Sequence, residues 1–170
     1  MTHQRDRIHD HIDTHPGAHF NALTRALDLA PGQVQYHLKK LRRRGEVVEE
    51  HLYGRTHYYT PGYDEWERGA IAVLRRETAR DVLFALLERG PARPGAVADD
   101  LGIARSTLEW HLDHLVERGL VEKRRDTNNH VTLAVTRPTE TVRLLDDITP
   151  SLSDRMLDRF TRLVDALLAE

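Results

Sequence analysis

Residues 8–47 and 82–121 of this chain carry one pattern twice, in register and without a gap, at an offset of 74. Ala22 recurs as Ala96, Leu27 as Leu101, Ala30 as Ala104 and His37 as His111. Leu38, Leu41, Arg44, Gly45 and Val47 recur as Leu112, Leu115, Arg118, Gly119 and Val121. A repeat of this kind is one supersecondary design used twice. Two copies are too few for a solenoid, so each is expected to be a small domain with its own core. A length of 170 residues suits that organisation.

The first copy reads as a helix over about 5–15, with Ile8 and Ile12 on one face, stopped by Pro16-Gly17. A second helix is expected over 20–27, capped at or beside Asn21. After Asp28-Leu29-Ala30, Pro31 suits the first turn of a third helix, and Gly45 suits its left-handed end. β-branched and aromatic runs on either side of Tyr53-Gly54-Arg55 read as a hairpin. The second copy repeats the order. Its helices are expected over 79–89 (capped by Thr78), 96–101 and 105–118, and its hairpin strands over 120–125 and 130–136 around Asp126-Thr127-Asn128-Asn129.

Helix, short helix, turn, helix and hairpin is the order of a winged helix-turn-helix. The fold class is therefore mostly α with small β-hairpin wings (α+β): two tandem winged helix-turn-helix domains followed by C-terminal helices. The runs His37-Leu38…Leu41…Gly45 and His111-Leu112…Leu115…Gly119-Leu120-Val121 resemble the recognition helices of ArsR-like and MarR-like regulators. Glu46 departs from that pattern, which usually has an apolar residue there. The segment 74–83 is similar to the entry into an ArsR-like first helix, and the tandem arrangement resembles two-winged-helix regulators of archaea. The resemblance implies a DNA-binding transcription regulator that dimerises through its terminal helices.

Placing the third helices on a wheel at about 100° per residue divides their faces. In the first copy Val34, Leu38 and Leu41 face the core, with His37 at the edge. The opposite side presents Gly32, Tyr36, Lys39, Lys40 and Arg43, flanked by Gln33 and Gln35, and Arg55 sits at the wing tip. Cations there suit phosphates and guanine acceptors, glutamine suits adenine, and a wing arginine suits the minor groove. In the second copy Leu108, Leu112 and Leu115 face the core, and Ser106, Trp110, Asp113, His114 and Glu117 face outward. A carboxylate pressed against a phosphate at 4 Å costs about 4 kcal/mol at an effective dielectric of ~20. The second recognition helix is thus expected to read DNA poorly, with exposed Trp110 at a protein interface instead, while Lys123, Arg124 and Arg125 in its wing remain able to grip phosphate.

Charge follows the same division. The net charge is only −2, yet 32–44 contain Lys39, Lys40, Arg42, Arg43 and Arg44 and no acid, while Asp146, Asp147, Asp154, Asp158, Asp165 and Glu170 mark the C-terminal end. A connecting helix over 64–76 carries Trp66, Ala70, Val73 and Leu74. Helices over 139–148 and 153–169 should close the chain, the last with Met156, Phe160, Leu163 and Leu167 spaced by four and three as a short dimer seam. The expected domains are 1–62 for DNA reading, 63–77 connecting, 78–137 as the second winged helix and 138–170 for dimerisation.

The absence of cysteine excludes disulfides, cysteine zinc sites and iron–sulfur clusters. No apolar run approaches the ~18 residues of a membrane span, and the polar start of the chain has no signal-peptide core, so a cytoplasmic protein is expected. Eleven histidines raise the question of a metal, but His11 and His15 are a pair, and His111 and His114 are expected on different faces. No metal, cofactor or catalytic constellation is expected. The expected partners are double-stranded DNA and a second copy, with an effector left open; the alternative is a tandem winged-helix interaction scaffold with no DNA role.

Overall fold

The computed structural model describes residues 2–148. The expected helix over 153–169, with Met156, Phe160, Leu163 and Leu167, lies outside the described residues. The chain divides into two compact units, Met1–Ala72 and Val73–Glu170.

The first unit holds α1 (Thr2–Thr14), β1 (Ala18–His19), α2 (Phe20–Leu27), α3 (Pro31–Arg43), β2 (Val48–Leu52) and β3 (Arg55–Tyr59). Its core joins Ile8 and Ile12 of α1 to Leu23 and Leu27 of α2, Val34, Leu38 and Leu41 of α3, and Val47 before the wing. Each lies on the face that its helical spacing dictates, and each buried aliphatic side chain contributes about 1.5–3 kcal/mol. Pro31 opens α3 and Gly45 follows it at φ 70°.

The wing hairpin pairs Val48 with Tyr59 through Leu52 with Arg55. Its loop is the two residues Tyr53 and Gly54, both at positive φ (54° and 74°), the geometry that matches strand twist. Arg55, expected in the turn, is instead the first residue of β3. A third strand was not expected: Ala18 and His19 pair with Tyr58 and His57, giving the order β1-β3-β2. Two residues after Pro16-Gly17 are too few for a periodic signal. The Gly17 N–H bonds the Tyr58 carbonyl at 2.9 Å, and buried His57 places Nδ1 2.7 Å from the Gly17 carbonyl.

Two expected caps are corrected. His19, not Asn21, caps α2: its ring Nδ1 accepts the Ala22 N–H at 3.0 Å. Thr78 caps nothing, because α5 (Glu77–Arg89) begins after Arg76, which supplies no side-chain bond. The linking helix α4 (Glu65–Leu74) has a reciprocal cap, in which Asp64 and Glu67 each accept the other's backbone N–H. The boundary between the compact units falls inside α4.

The second unit repeats the plan with α5, α6 (Pro94–Leu101), α7 (Arg105–Glu117), β4 (Val121–Arg125) and β5 (Val131–Val135), then α8 (Pro138–Ile148). Val82 to Leu87 are all buried, and α6, α7 and β5 pack against α5. Leu108, Leu112 and Leu115 are fully buried, as Val34, Leu38 and Leu41 are. The turn before each recognition helix begins with a left-handed residue, Asp28 at φ 51° and Gly102 at φ 63°. No described helix is long and apolar enough to cross a membrane.

Candidate nucleic-acid interface

The first recognition helix, α3, buries Val34, His37, Leu38 and Leu41 and leaves Gly32, Gln33, Gln35, Tyr36, Lys39, Arg42 and Arg43 exposed. Its solvent side has local structure. The Lys40 ammonium lies 4.7 Å from the centre of the Tyr36 ring, and its hydrogen bond and charge hold the Tyr36 phenol below its ordinary pKa. Gln33 accepts the Ala30 backbone N–H at 3.1 Å. That bond engages the side-chain carbonyl which adenine reading would need, so Gln33 serves first as a helix-start residue.

Between α3, the start of α2 and the wing lies a cleft of about 720 Å³. Gln35, Lys39 and Arg42 line it from α3, Asn21 and Arg25 from α2, and Glu49, Gly54, Arg55 and Thr56 from the wing. Arg25, Lys39, Arg42 and Arg55 face a single carboxylate, Glu49. That carboxylate is paired to Arg42 at 3.1 Å, with both side chains part-exposed. Tyr58 also lines the cleft; burial, reinforced by Glu49, pushes its phenol up to about 12, so it stays protonated. An open groove with this cation excess fits a polyanion backbone of alternating phosphates.

The second unit has the same backbone and the opposite surface. The offset of 74 places Asp99 where α2 has Arg25, Asp113 for Lys39, Val116 for Arg42 and Glu117 for Arg43. The wing differs as well. Lys123 is paired to Glu109 at 3.0 Å and Arg124 to Glu122, and Arg125 donates to Asn129 at 3.0 Å. The tip is closed by Asp126, whose carboxylate accepts the His130 and Asn128 backbone N–H groups and is held below its usual pKa by them. An acid thus occupies the tip region where the first wing offers Gly54 and Arg55.

Residues 2–71 match a family model described as an N-terminal HTH domain, and residues 74–124 match one described as a helix-turn-helix domain. The chain is a tandem helix-turn-helix protein. A relative of this tandem helix-turn-helix chain is the uncharacterized HTH-type transcriptional regulator MJ1398 of Methanocaldococcus jannaschii, 24% identical over 127 residues, 75% of this chain. The chain spans about a third of that relative's length, 32%. Among solved structures, an ArsR family transcriptional regulator is 26% identical, over 48% of this chain and 84% of that one, with a TM-score of 0.40. Reduced AbfR bound to DNA is 16% identical, over 82% of this chain and 94% of that one, with a TM-score of 0.43.

Of the residues expected to touch DNA, the cleft of the first helix-turn-helix domain gathers Gln35, Lys39 and Arg55. Gly32, Tyr36, Lys40 and Arg43 sit on α3 outside its lining, and Lys123, Arg124 and Arg125 belong to the other unit. Sequence reasoning missed Asn21, Arg25 and Arg42 as cleft residues. The signal for Arg42 was its place one turn short of Gly45, beside Lys39; Arg25 gave none until the wing was placed opposite it. Trp110 is 51% exposed, as expected, but His111 and His114 do not divide between faces. Both are half-buried and meet the Trp110 ring edge-on at 4.8 and 4.6 Å. Burial lowers the pKa of each. Among the described residues no group of three or more His, Cys, Asp or Glu is placed to hold a metal.

Proposed function

We propose that the chain is a sequence-specific, double-stranded-DNA-binding transcription regulator in which the first winged helix reads the duplex. One observation carries the reading. The cleft between α3, α2 and the wing of the first unit sets four cations against one paired carboxylate, and the helix positions equivalent to Arg25, Lys39 and Arg42 in the second unit are acidic or apolar. Tyr36, Lys40, Arg43 and Gly32 extend the surface along the groove side of α3, with Gln33 contributing through its amide nitrogen. The name of the archaeal relative supports a regulatory role.

In this reading the protein acts in the cytoplasm as a homodimer and performs no catalysis. The second unit and the C-terminal helices, including Met156, Phe160, Leu163 and Leu167, serve dimerisation or partner contact. Lys123, Arg124 and Arg125 play at most a supporting part, because Lys123 is paired to Glu109 of α7, Arg124 to Glu122, and Arg125 is engaged by the Asn129 amide. The rival reading, an interaction scaffold with no DNA role, draws on the exposed Trp110.

Binding to a random and to a genomic duplex as a function of salt separates the two. A DNA reader loses affinity steeply with salt, at a slope of about −0.9 per phosphate contact. Replacing Lys39, Lys40 and Arg43 by alanine should remove about three contacts from that slope, whereas replacing Asp113 and Glu117 should leave it. Salt-insensitive or absent duplex binding refutes the proposal.

A further inference from the structure

In the reading above the second unit serves dimerisation or partner contact, which leaves open what the outward face of α7 meets, and that face is unlike an inert surface. Trp110 stands 51% exposed on it. Asp113 and Glu117 follow Trp110 at three and seven residues, so the acids stand one turn apart, about 6 Å along the helix. On α3 the exposed Tyr36 is followed at the same steps by Lys39 and Arg43. The two helices therefore present an aromatic ring and two charges at identical spacing, with every charge reversed. All four charged residues are exposed, and among the described residues none of them makes an ion pair.

We propose that the α7 face docks on the α3 face of a second copy of this chain. Charge complementarity selects the occupant: the face needs a basic helix with two cations one turn apart, and α3 is such a helix. Lys39 and Arg43 meet Asp113 and Glu117, while Trp110 supplies apolar area and a ring face for cations. The consequence rests on the DNA-reading proposal. A copy docked this way covers the surface that would lie in the duplex, so self-association and DNA binding compete, and the free protein restrains itself at high concentration.

Sedimentation velocity of the full chain over a concentration series, at low and at high salt and without nucleic acid, reads the contact directly. The expected result is a salt-sensitive association, superimposed on any salt-insensitive dimer. The pair Asp113→Lys and Glu117→Arg should weaken it about tenfold, the size expected when two exposed ion pairs become repulsive. Combining that pair with Lys39→Asp and Arg43→Glu should restore it, and Trp110→Ala alone should weaken it. All these positions are exposed, and circular dichroism is the check that each variant folds. No salt-sensitive association, or one that ignores both charge reversals, overturns the inference. A second arm adds duplex: loss of the salt-sensitive association is expected, and a salt-sensitive association that persists alongside bound duplex also overturns the docking site. Duplex binding without self-association sinks this inference alone; self-association without duplex binding sinks the DNA-reading proposal alone.

Discussion

Glu49 is the one carboxylate in the cleft, and its removal should tighten DNA binding. Its Oε2 lies 3.1 Å from Arg42 Nη1, with side-chain exposures of 49% for the arginine and 34% for the glutamate. A pair this exposed is worth little to folding, about 0–1 kcal/mol, so Glu49→Gln should leave the thermal midpoint nearly unchanged. Its effect on a polyanion is larger for two reasons. The guanidinium of Arg42 is no longer neutralised, and the carboxylate no longer repels the phosphate that Arg42 would grip. One added phosphate contact steepens the plot of log affinity against log salt by about 0.9, which over a fourfold change in salt alters affinity by about 3.5-fold.

The assay is fluorescence anisotropy of a labelled duplex between 50 and 200 mM salt. Glu49→Gln should bind more tightly than the parent at the low end, with an advantage that shrinks by about 3.5-fold at the high end. Arg42→Ala completes a cycle. In the parent its effect should be small, because the charge removed is already countered; in the Glu49→Gln background it should cancel the gain. Weaker binding by Glu49→Gln at every salt would refute the reasoning, since it would mean that Glu49 aims Arg42 at the phosphate rather than withholding it. An unchanged slope would refute it equally.

Arg25→Ala and Arg55→Ala should each reduce the salt slope by about 0.9 in the same assay, whereas replacing Lys123, Arg124 and Arg125 together should change it by less than one such contact. Gly54→Val should destabilise the first unit by about 1–2 kcal/mol in chemical denaturation, because φ is +74° while nothing lies within 4 Å of the added Cβ, so the cost is backbone strain and not a clash. Burial, aided by Arg5 and Lys40, lowers the pKa of His37 from its ordinary 6.5, and burial likewise lowers those of His111 and His114. The unfolded chain therefore binds protons that the folded one does not: stability is fully present above about 6.5 and is lost as pH falls below it towards the folded values. Thermal midpoints measured from pH 7.5 to 5.5 should fall, and His37→Leu should flatten part of that fall; a midpoint rising with acid would contradict the assignment.

The order of elements was legible because period and punctuation agree in both copies. Ile8 and Ile12, Pro31 and Gly45 each indicate one structure, and each lies where that structure requires. What escaped depended on contacts distant in sequence. β1 depends on partners far along the chain, with the Gly17 N–H donating to the Tyr58 carbonyl across 41 positions and Ala18 and His19 paired to Tyr58 and His57, and a two-residue strand has no pattern of its own. The cap of α2 is a histidine, a residue type whose ring nitrogen accepts only in the right tautomer, so a search for Asn, Asp, Ser or Thr passes over it. Arg25 and Arg42 were hidden for a similar reason: a wheel drawn for α3 alone shows which residues face out, but not that the wing rises beside one flank and turns it into a cleft. Glu46, which departs from the repeat, keeps the backbone bond of its counterpart Leu120. Their N–H groups reach the Leu41 and Leu115 carbonyls at 2.9 Å, yet Glu46 is exposed and Leu120 buried.

The positions that the two copies share and those at which they differ separate by physical role. Leu38 and Leu112, Leu41 and Leu115, and Val47 and Val121 are all buried, where losing a side chain costs about 2–5 kcal/mol for leucine. Gly45 and Gly119 share a positive φ near 70°, where a side chain strains the backbone. Packing and chain geometry hold these fixed whatever the domain touches. At Lys39 and Asp113, or Arg43 and Glu117, the side chain stands in water, and exchange there usually moves stability by no more than about 0.5 kcal/mol. The fold therefore sets the sign of charge on either recognition helix only weakly, the helix C-terminus favouring cations such as Arg43 over acids such as Glu117 by about 0.3–1 kcal/mol. A helix whose C-terminal half carries exposed cations, paired in tandem with one carrying acids and an exposed tryptophan at the matching steps, needs a cause outside the fold. The two faces are accordingly best understood by what approaches each of them, a polyanion for the first and a cationic surface for the second.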